Sequence, residues 1–152
     1  MKWSLLPVVL SVCGGFAACD AGSANRGASA AWLDAMLVQQ DYARFAELFA
    51  PAARVNDSAY GARYLASLSD GLHAAFPDLT LEIEEQLTDR DRVVTRFRLR
   101  GTHTGPFNML APTHRQVAIA GVAIDRIADG RIAETWLQLD LWGLAQQLAA
   151  KQ

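Results

Sequence analysis

Three side chains that can move a proton, His103, Asp125 and Asp140, fall within or beside segments of regular alternation. His103 shares strand parity with Thr95, Phe97 and Leu99, which places it on the apolar face of its strand. Two roles are open to it: a proton donor or acceptor held near neutrality, or a structural ring hydrogen-bonded to the loop around Thr104. Asp125 shares parity with Val117, Ile119, Gly121, Ala123 and Ile127. A carboxylate buried on that face has its pKa raised by desolvation, which is how a working acid or base is made. The other reading puts it at the sheet rim, solvated or paired with an arginine, because a single bulge reverses the parity. Asp140 stands just before Leu141-Trp142, where a carboxylate caps a helix. His73, His103 and His114 lack the spacing of a metal site, and no phosphate-cradling glycine loop or nucleophile elbow occurs. The expectation is no metal and no cofactor.

Elements of two kinds must position these groups. Helical spacing predicts helices over 31–40, 42–49 and 61–76, the second stopped by Pro51 and the third by Pro77-Asp78, with a short strand at 53–56 between the second and third. After Pro77 the period becomes two, predicting strands over 79–86, 92–101, 116–127 and 131–140, the last two joined by an Asp129-Gly130 hairpin turn. A short helix over 142–150 closes the chain. Helices first and antiparallel strands after them make an α+β domain. A curved antiparallel sheet wrapped on helices leaves a cone-shaped, largely apolar pocket. Arg96, Arg98 and Arg100 face Glu82 and Glu84 as a cross-strand charge ladder.

The 152 residues suit one domain. A hydrophobic fraction of 51% with 20% charged residues argues against disorder, and a net charge of -2 argues against a nucleic-acid partner. The N-terminus reads differently from the rest. One positive charge at Lys2 precedes an uncharged apolar run over 5–16, the grammar of a secretory signal and shorter than the roughly 20 residues of a spanning helix. Phe16-Ala17-Ala18-Cys19 resembles the lipobox of bacterial lipoproteins. That resemblance implies removal of residues 1–18, acylation of Cys19 and a membrane anchor; Asp20 resembles the signal that retains such proteins on the outer face of the inner membrane. A secretory signal cut after Ala28-Ser29-Ala30 is the alternative. Residues 19–30 then read as a flexible tether of about 18 Å reach, and 31–152 as the folded domain.

Three segments carry a second resemblance: Gly101-Thr102-His103-Thr104-Gly105-Pro106-Phe107, Ala111-Pro112-Thr113-His114-Arg115, and Asp129-Gly130-Arg131-Ile132-Ala133-Glu134-Thr135-Trp136. With Phe76-Pro77-Asp78-Leu79 before them, they resemble the SnoaL-like polyketide cyclase (ester cyclase) family over about residues 31–148. The resemblance implies the nuclear-transport-factor-2-like α+β cone and a pocket that takes a small hydrophobic molecule. It also implies an acid/base Asp directly after the Trp of the last strand and a His on the strand before; here those positions hold Leu137 and Ala123. Leucine cannot take a proton. If Ala123 faces the pocket, Asp125 does too, and Asp140 matches a second family Asp. Trp32, Tyr60, Phe76, Phe107 and Trp136 fall in cone-lining segments; Met109 stands where a Gly is usual, as a flexible pocket-lining group, and His114 replaces a turn Gly where φ is positive. A homodimer through the convex face is also implied. Two functions remain open. One is acid/base chemistry on a small hydrophobic carbonyl compound by His103 and Asp125, with Asp140. The other is binding of an apolar ligand without conversion, with Leu137 at the site.

Overall fold

The computed structural model describes residues 16–58, 61–107 and 109–150, with the side chains of residues 16–20 and 62 outside that set. Tyr60 and the start of the apolar leader therefore lie outside the described residues, as does the side chain of Cys19. The elements are α1 (Phe16–Leu37), α2 (Tyr42–Leu48), β1 (Phe49–Val55), α3 (Gly61–Ala75), β2 (Thr80–Asp89), β3 (Arg92–Thr102), β4 (Gln116–Ala128), β5 (Arg131–Leu139) and α4 (Leu141–Ala149). The sheet order is β1-β5-β4-β3-β2. All neighbours are antiparallel except β1, which runs parallel to β5. This is the expected α+β arrangement, with the parallel edge strand as an addition.

Strand alternation sorts the sheet into two faces. Val93, Thr95, Phe97 and Leu99 of β3, Val117, Ile119, Ala123 and Asp125 of β4, and Ile132, Thr135 and Leu137 of β5 are all buried. The helices cover this face, and Trp32, Leu33, Met36, Leu37, Leu65, Leu72 and Phe76 complete the core. The opposite face carries Leu87, Val94, Ile124 and Trp136 in one cross-strand row. Beside that row lies the charge ladder, with Glu84 taking hydrogen bonds from Arg96 and, at 2.8 Å, from Arg98, while Arg100 reaches Glu82 at 3.1 Å. The β4–β5 hairpin turns on Asp129 (φ 52°) and Gly130 (φ 73°), the left-handed pair that a two-residue turn requires.

Side-chain amides finish two strands. β5 ends at Leu139 and leaves the edge of β4 that faces away from β3 uncovered at its start, so Gln147 of α4 accepts from Ala118 N and donates to Ala118 O, both at 2.9 Å. Likewise Asn56, just past β1, accepts from Leu137 N at 2.8 Å and donates to Leu137 O at 3.4 Å. Each amide presents the donor and acceptor that a neighbouring strand would supply.

The N-terminal boundary differs from expectation. Residues 20–30 are not an irregular tether, because α1 runs without a break from Phe16 to Leu37. Its two halves are unlike. From Ala21 to Ala28 no residue is buried, whereas Ser29, Trp32, Leu33, Met36 and Leu37 form one buried face at helical spacing. Small residues allow helix where no apolar stripe demands it, so composition alone misled. Among the described residues no helix is long and apolar enough to cross a membrane.

Candidate functional site

Asp125 sits on the buried face, as its parity requires. The bulge that threatened the argument falls beyond it, between Arg126 and Ile127, where β5 carries the extra residue. Its carboxyl has no accessible surface. Oδ2 accepts hydrogen bonds from Ser29 Oγ at 2.5 Å and Trp32 Nε1 at 2.9 Å. Ser29 Oγ also lies 2.8 Å from Thr95 Oγ1, which accepts from Gln86 Nε2 at 3.0 Å. Thr135, the register partner of Asp125, sits beside the carboxyl and favours its ionised form, yet Thr135 Oγ1 and Asp125 Oδ1 each lack a bond of ordinary length. Burial raises the Asp125 pKa above the usual carboxylate range and outweighs the hydrogen bonds from Ser29 and Trp32 and the nearby Thr135 hydroxyl, which lower it.

This interior differs from the hollow cone expected. A side chain without accessible surface touches no void large enough for water, and Trp32, Phe76, His103, Ala123 and Asp125 are all in that state. The apex is filled by α1, whose Ser29 and Trp32 occupy the space over Asp125.

His103 belongs to a different place. Its Nδ1 accepts from Thr113 N at 3.1 Å, so the ring's proton is on Nε2, which is buried without a hydrogen bond of ordinary length, while the Gly105 backbone nearby favours the protonated ring. Burial lowers its pKa, assisted by the charge of His114. Its backbone exchanges bonds with the next loop, His103 N to Arg115 O and His114 N to His103 O, both 2.9 Å. Thr104 N and Gly105 N then donate to Ala75 O at the end of α3, and Asp78 accepts from Thr102 N and Oγ1. Gly105 is obligatory here because a Cβ would lie 1.8 Å from Ala74 O. The Gly-Thr-His-Thr-Gly segment is therefore a clasp that fastens loop to helix. Asp125 pairs with Val93, ten residues of β3 before His103. At about 3.3 Å per residue that is roughly 30 Å along the strand, so the two do not share a substrate atom.

Asp140 caps α4, accepting from Gly143 N at 2.7 Å. Phe107 is partly buried, 5.7 Å from the Phe76 ring, while Met109 is fully exposed at φ 68° and lines no interior. Trp136 lies on the opposite face of the sheet, its indole 3.4 Å from Asp57. His114 does adopt positive φ, at 56°. Among the described residues no group of three or more His, Cys, Asp or Glu is placed to hold a metal.

Leu137 borders a cavity of about 110 Å³ at the mouth of the cone, with Asn56, Tyr64, Leu68, Gln138, Leu139 and Leu141. Asn56 and Tyr64 also line an adjoining cleft of about 350 Å³ with Val55, Ser58 and Gly61. Sequence reading missed Ser29, Thr95, Gln86, Asn56 and Tyr64. The signal for Ser29 was present in its helical spacing to Trp32, Leu33 and Met36. Asn56 and Gln86 act through long-range pairing and left no local signal.

The comparisons with known proteins agree with this fold. A family model described as SnoaL-like polyketide cyclase matches residues 28–148. AclR, a hydroxylase candidate from Streptomyces galilaeus, is similar at 25% identity and TM-score 0.73 over 84% of this chain and 82% of its own. IdmH, a polyketide cyclase candidate from Streptomyces antibioticus, is 26% identical at TM-score 0.71, over 83% of this chain and 99% of its own. A SnoaL-like polyketide cyclase candidate from Jannaschia sp. CCS1 shares the fold at 23% identity and TM-score 0.70, covering 86% and 95%. No curated protein sequence matches.

Proposed function

Because the chain belongs to the SnoaL-like polyketide cyclase family, we propose that it keeps the family's cone as a binding site and captures a small apolar molecule at the cone mouth without converting it. The observation that carries this reading is Leu137. An aliphatic wall borders the mouth cavity where the family resemblance expects the acid/base carboxylate, and Ala123 stands directly across from it in the β4–β5 register. Leu68, Leu139 and Leu141 supply apolar surface, and Tyr64, 54% exposed, supplies a polar rim group. Native mass spectrometry of the purified chain is expected to show a small-molecule adduct that is released unaltered and is reduced at least tenfold by Leu137→Phe, which fills the cavity. Release of a chemically altered ligand overturns the reading.

A second reading, acid/base chemistry on a small hydrophobic carbonyl compound, is favoured by Asp125, whose buried carboxyl has the raised pKa of a working acid. It requires that Asp125→Asn abolish turnover of an accepted substrate. The lipid tether at Cys19 belongs to the same proposal, supported by the lipobox-like residues before it. Labelled palmitate is expected to be incorporated by the native chain and not by Cys19→Ser.

A further inference from the structure

We propose that α1 is a docked strut between the lipid at Cys19 and the domain, holding the β2 edge and the β2–β3 turn against the bilayer while the mouth cavity opens to water. This rests on the lipid-tether reading of Cys19 and adds to it the surface that meets the membrane.

The strut follows from what the mature chain must keep. Ser29 is buried, its hydroxyl on Asp125 Oδ2 and 2.8 Å from Thr95 Oγ1. A cut after Ala30 strips that contact from the core and leaves Trp32, the other donor to Asp125, in the frayed first turn of a shortened helix. Retention of Ser29 favours cleavage upstream of it, and the lipobox-like position before Cys19 leaves residues 19–28 ahead of the core.

Those residues continue α1 and lie on the sheet. Gly22, Asn25 and Arg26 are half-buried and Ser29 is buried, the i, i+3, i+4, i+7 spacing of one helix face, whereas Ala21, Ser23, Ala24 and Gly27 are exposed. That face is fastened to the end of β2 and its turn. Asn25 Nδ2 donates to Arg90 O and Arg26 NH1 to Thr88 Oγ1, both at 3.4 Å, and Gln86 Nε2 donates to Arg26 O at 3.1 Å. A Cβ at Gly22 would lie 3.9 Å from Thr88 Cγ2, so the helix passes close over this strand. From there α1 crosses the sheet: Ser29 meets Thr95 of β3 and Asp125 of β4, and Trp32 packs on Phe45 of α2 and Phe49 of β1.

The direction of α1 sets the orientation of the molecule. Cys19 precedes Gly22 by three residues, about 4.5 Å of helix rise, and so stands beside the outer strand β2. Leu137 at the mouth belongs to β5, three strand spacings or roughly 14 Å from β2, and Asn56 lies beyond it, just past β1. With the anchor at one edge and the mouth toward the other, the ligand arrives from the aqueous side and not from the bilayer.

The test reads how far two exposed positions stand from the membrane. A fluorescent donor is attached to Asp91→Cys in the β2–β3 turn or to Trp142→Cys at the start of α4, in the full lipidated chain on phosphatidylcholine vesicles carrying an acceptor-labelled lipid. Asp91 O accepts from Ile127 N and Asp140 N donates to Ala120 O, so the two positions stand about seven residues apart along β4, roughly 23 Å. Cys13 leaves with the leader and the Cys19 thiol is acylated, so the introduced thiol alone is labelled. Energy transfer is expected to be at least about twofold stronger from position 91, with the exposed Asp89→Cys repeating it should Asp91→Cys not fold. Equal transfer, or stronger transfer from position 142, in a chain that takes up labelled palmitate overturns the orientation and leaves the lipid reading standing. A native chain that takes up no palmitate overturns both.

Discussion

A carboxyl without accessible surface, ringed by hydroxyls, an indole and aliphatic groups, has its pKa raised by the cost of burying charge. The groups facing Asp125 are Ser29, Trp32, Thr95 and Thr135, none of which supplies a cation. Since the folded pKa is raised above the ordinary 3.8, the folded chain binds this proton more tightly than the unfolded one. The stability it contributes is complete below 3.8 and is lost as pH rises through the raised value. Asp125→Asn removes that dependence, so its urea midpoint is expected to gain on the native protein's as pH climbs through this window. Parallel midpoints would show that Asp125 titrates normally. Trp32→Phe deletes one of the two donors to Oδ2 and is expected to cost about 1–3 kcal/mol by the same measurement. The burial of Asp125 was legible from alternation, because period two holds along β4. Its partner Ser29 has helical spacing to Trp32, Leu33 and Met36, but the alanine-, glycine- and serine-rich composition of residues 20–30 masks that signal by resembling a linker.

At the scale of elements, the motif that carries the family resemblance serves construction. Gly101-Thr102-His103-Thr104-Gly105 ties β3 to the end of α3 through Ala75 and Asp78 and to the 113–115 loop through the His103 ring. Gly105→Ala forces a methyl group into Ala74 O and is expected to destabilise by about 3 kcal/mol or lose the fold, read from urea unfolding. Gln147→Ala removes both bonds that complete Ala118 and is expected to cost about 1–3 kcal/mol, with α4 amides losing hydrogen-exchange protection first. Apart from the start of α1, the helices and strands were legible within a few residues, from Pro51 and Pro77 as stops and from the Asp129-Gly130 turn. The parallel pairing of β1 with β5 was not, because a strand's neighbour is chosen by the whole fold.

The molecule as a whole is a domain with a long helical entrance. The family match begins at residue 28, one residue before burial starts at Ser29. A chain starting at Ala28 is expected to unfold cooperatively with nearly the native midpoint, whereas one starting at Leu33 loses Trp32 and with it about 3–5 kcal/mol. Circular dichroism during urea titration checks both. The cone's space lies at its mouth beside Leu137 and not around Asp125, because parity tells which side chains point inward and not how much space they leave.

The bulge between Ile83 and Glu85 has its counterpart in the break of pairing between Phe49 and Arg54 of β1, where Pro51 offers no N–H. These are the sheet's two outermost strands, the places where a stranger's backbone would attach. Each margin thus carries an interruption, at one side among glutamates and at the other at an imino acid, of the kind that blunts edge-to-edge joining of sheets.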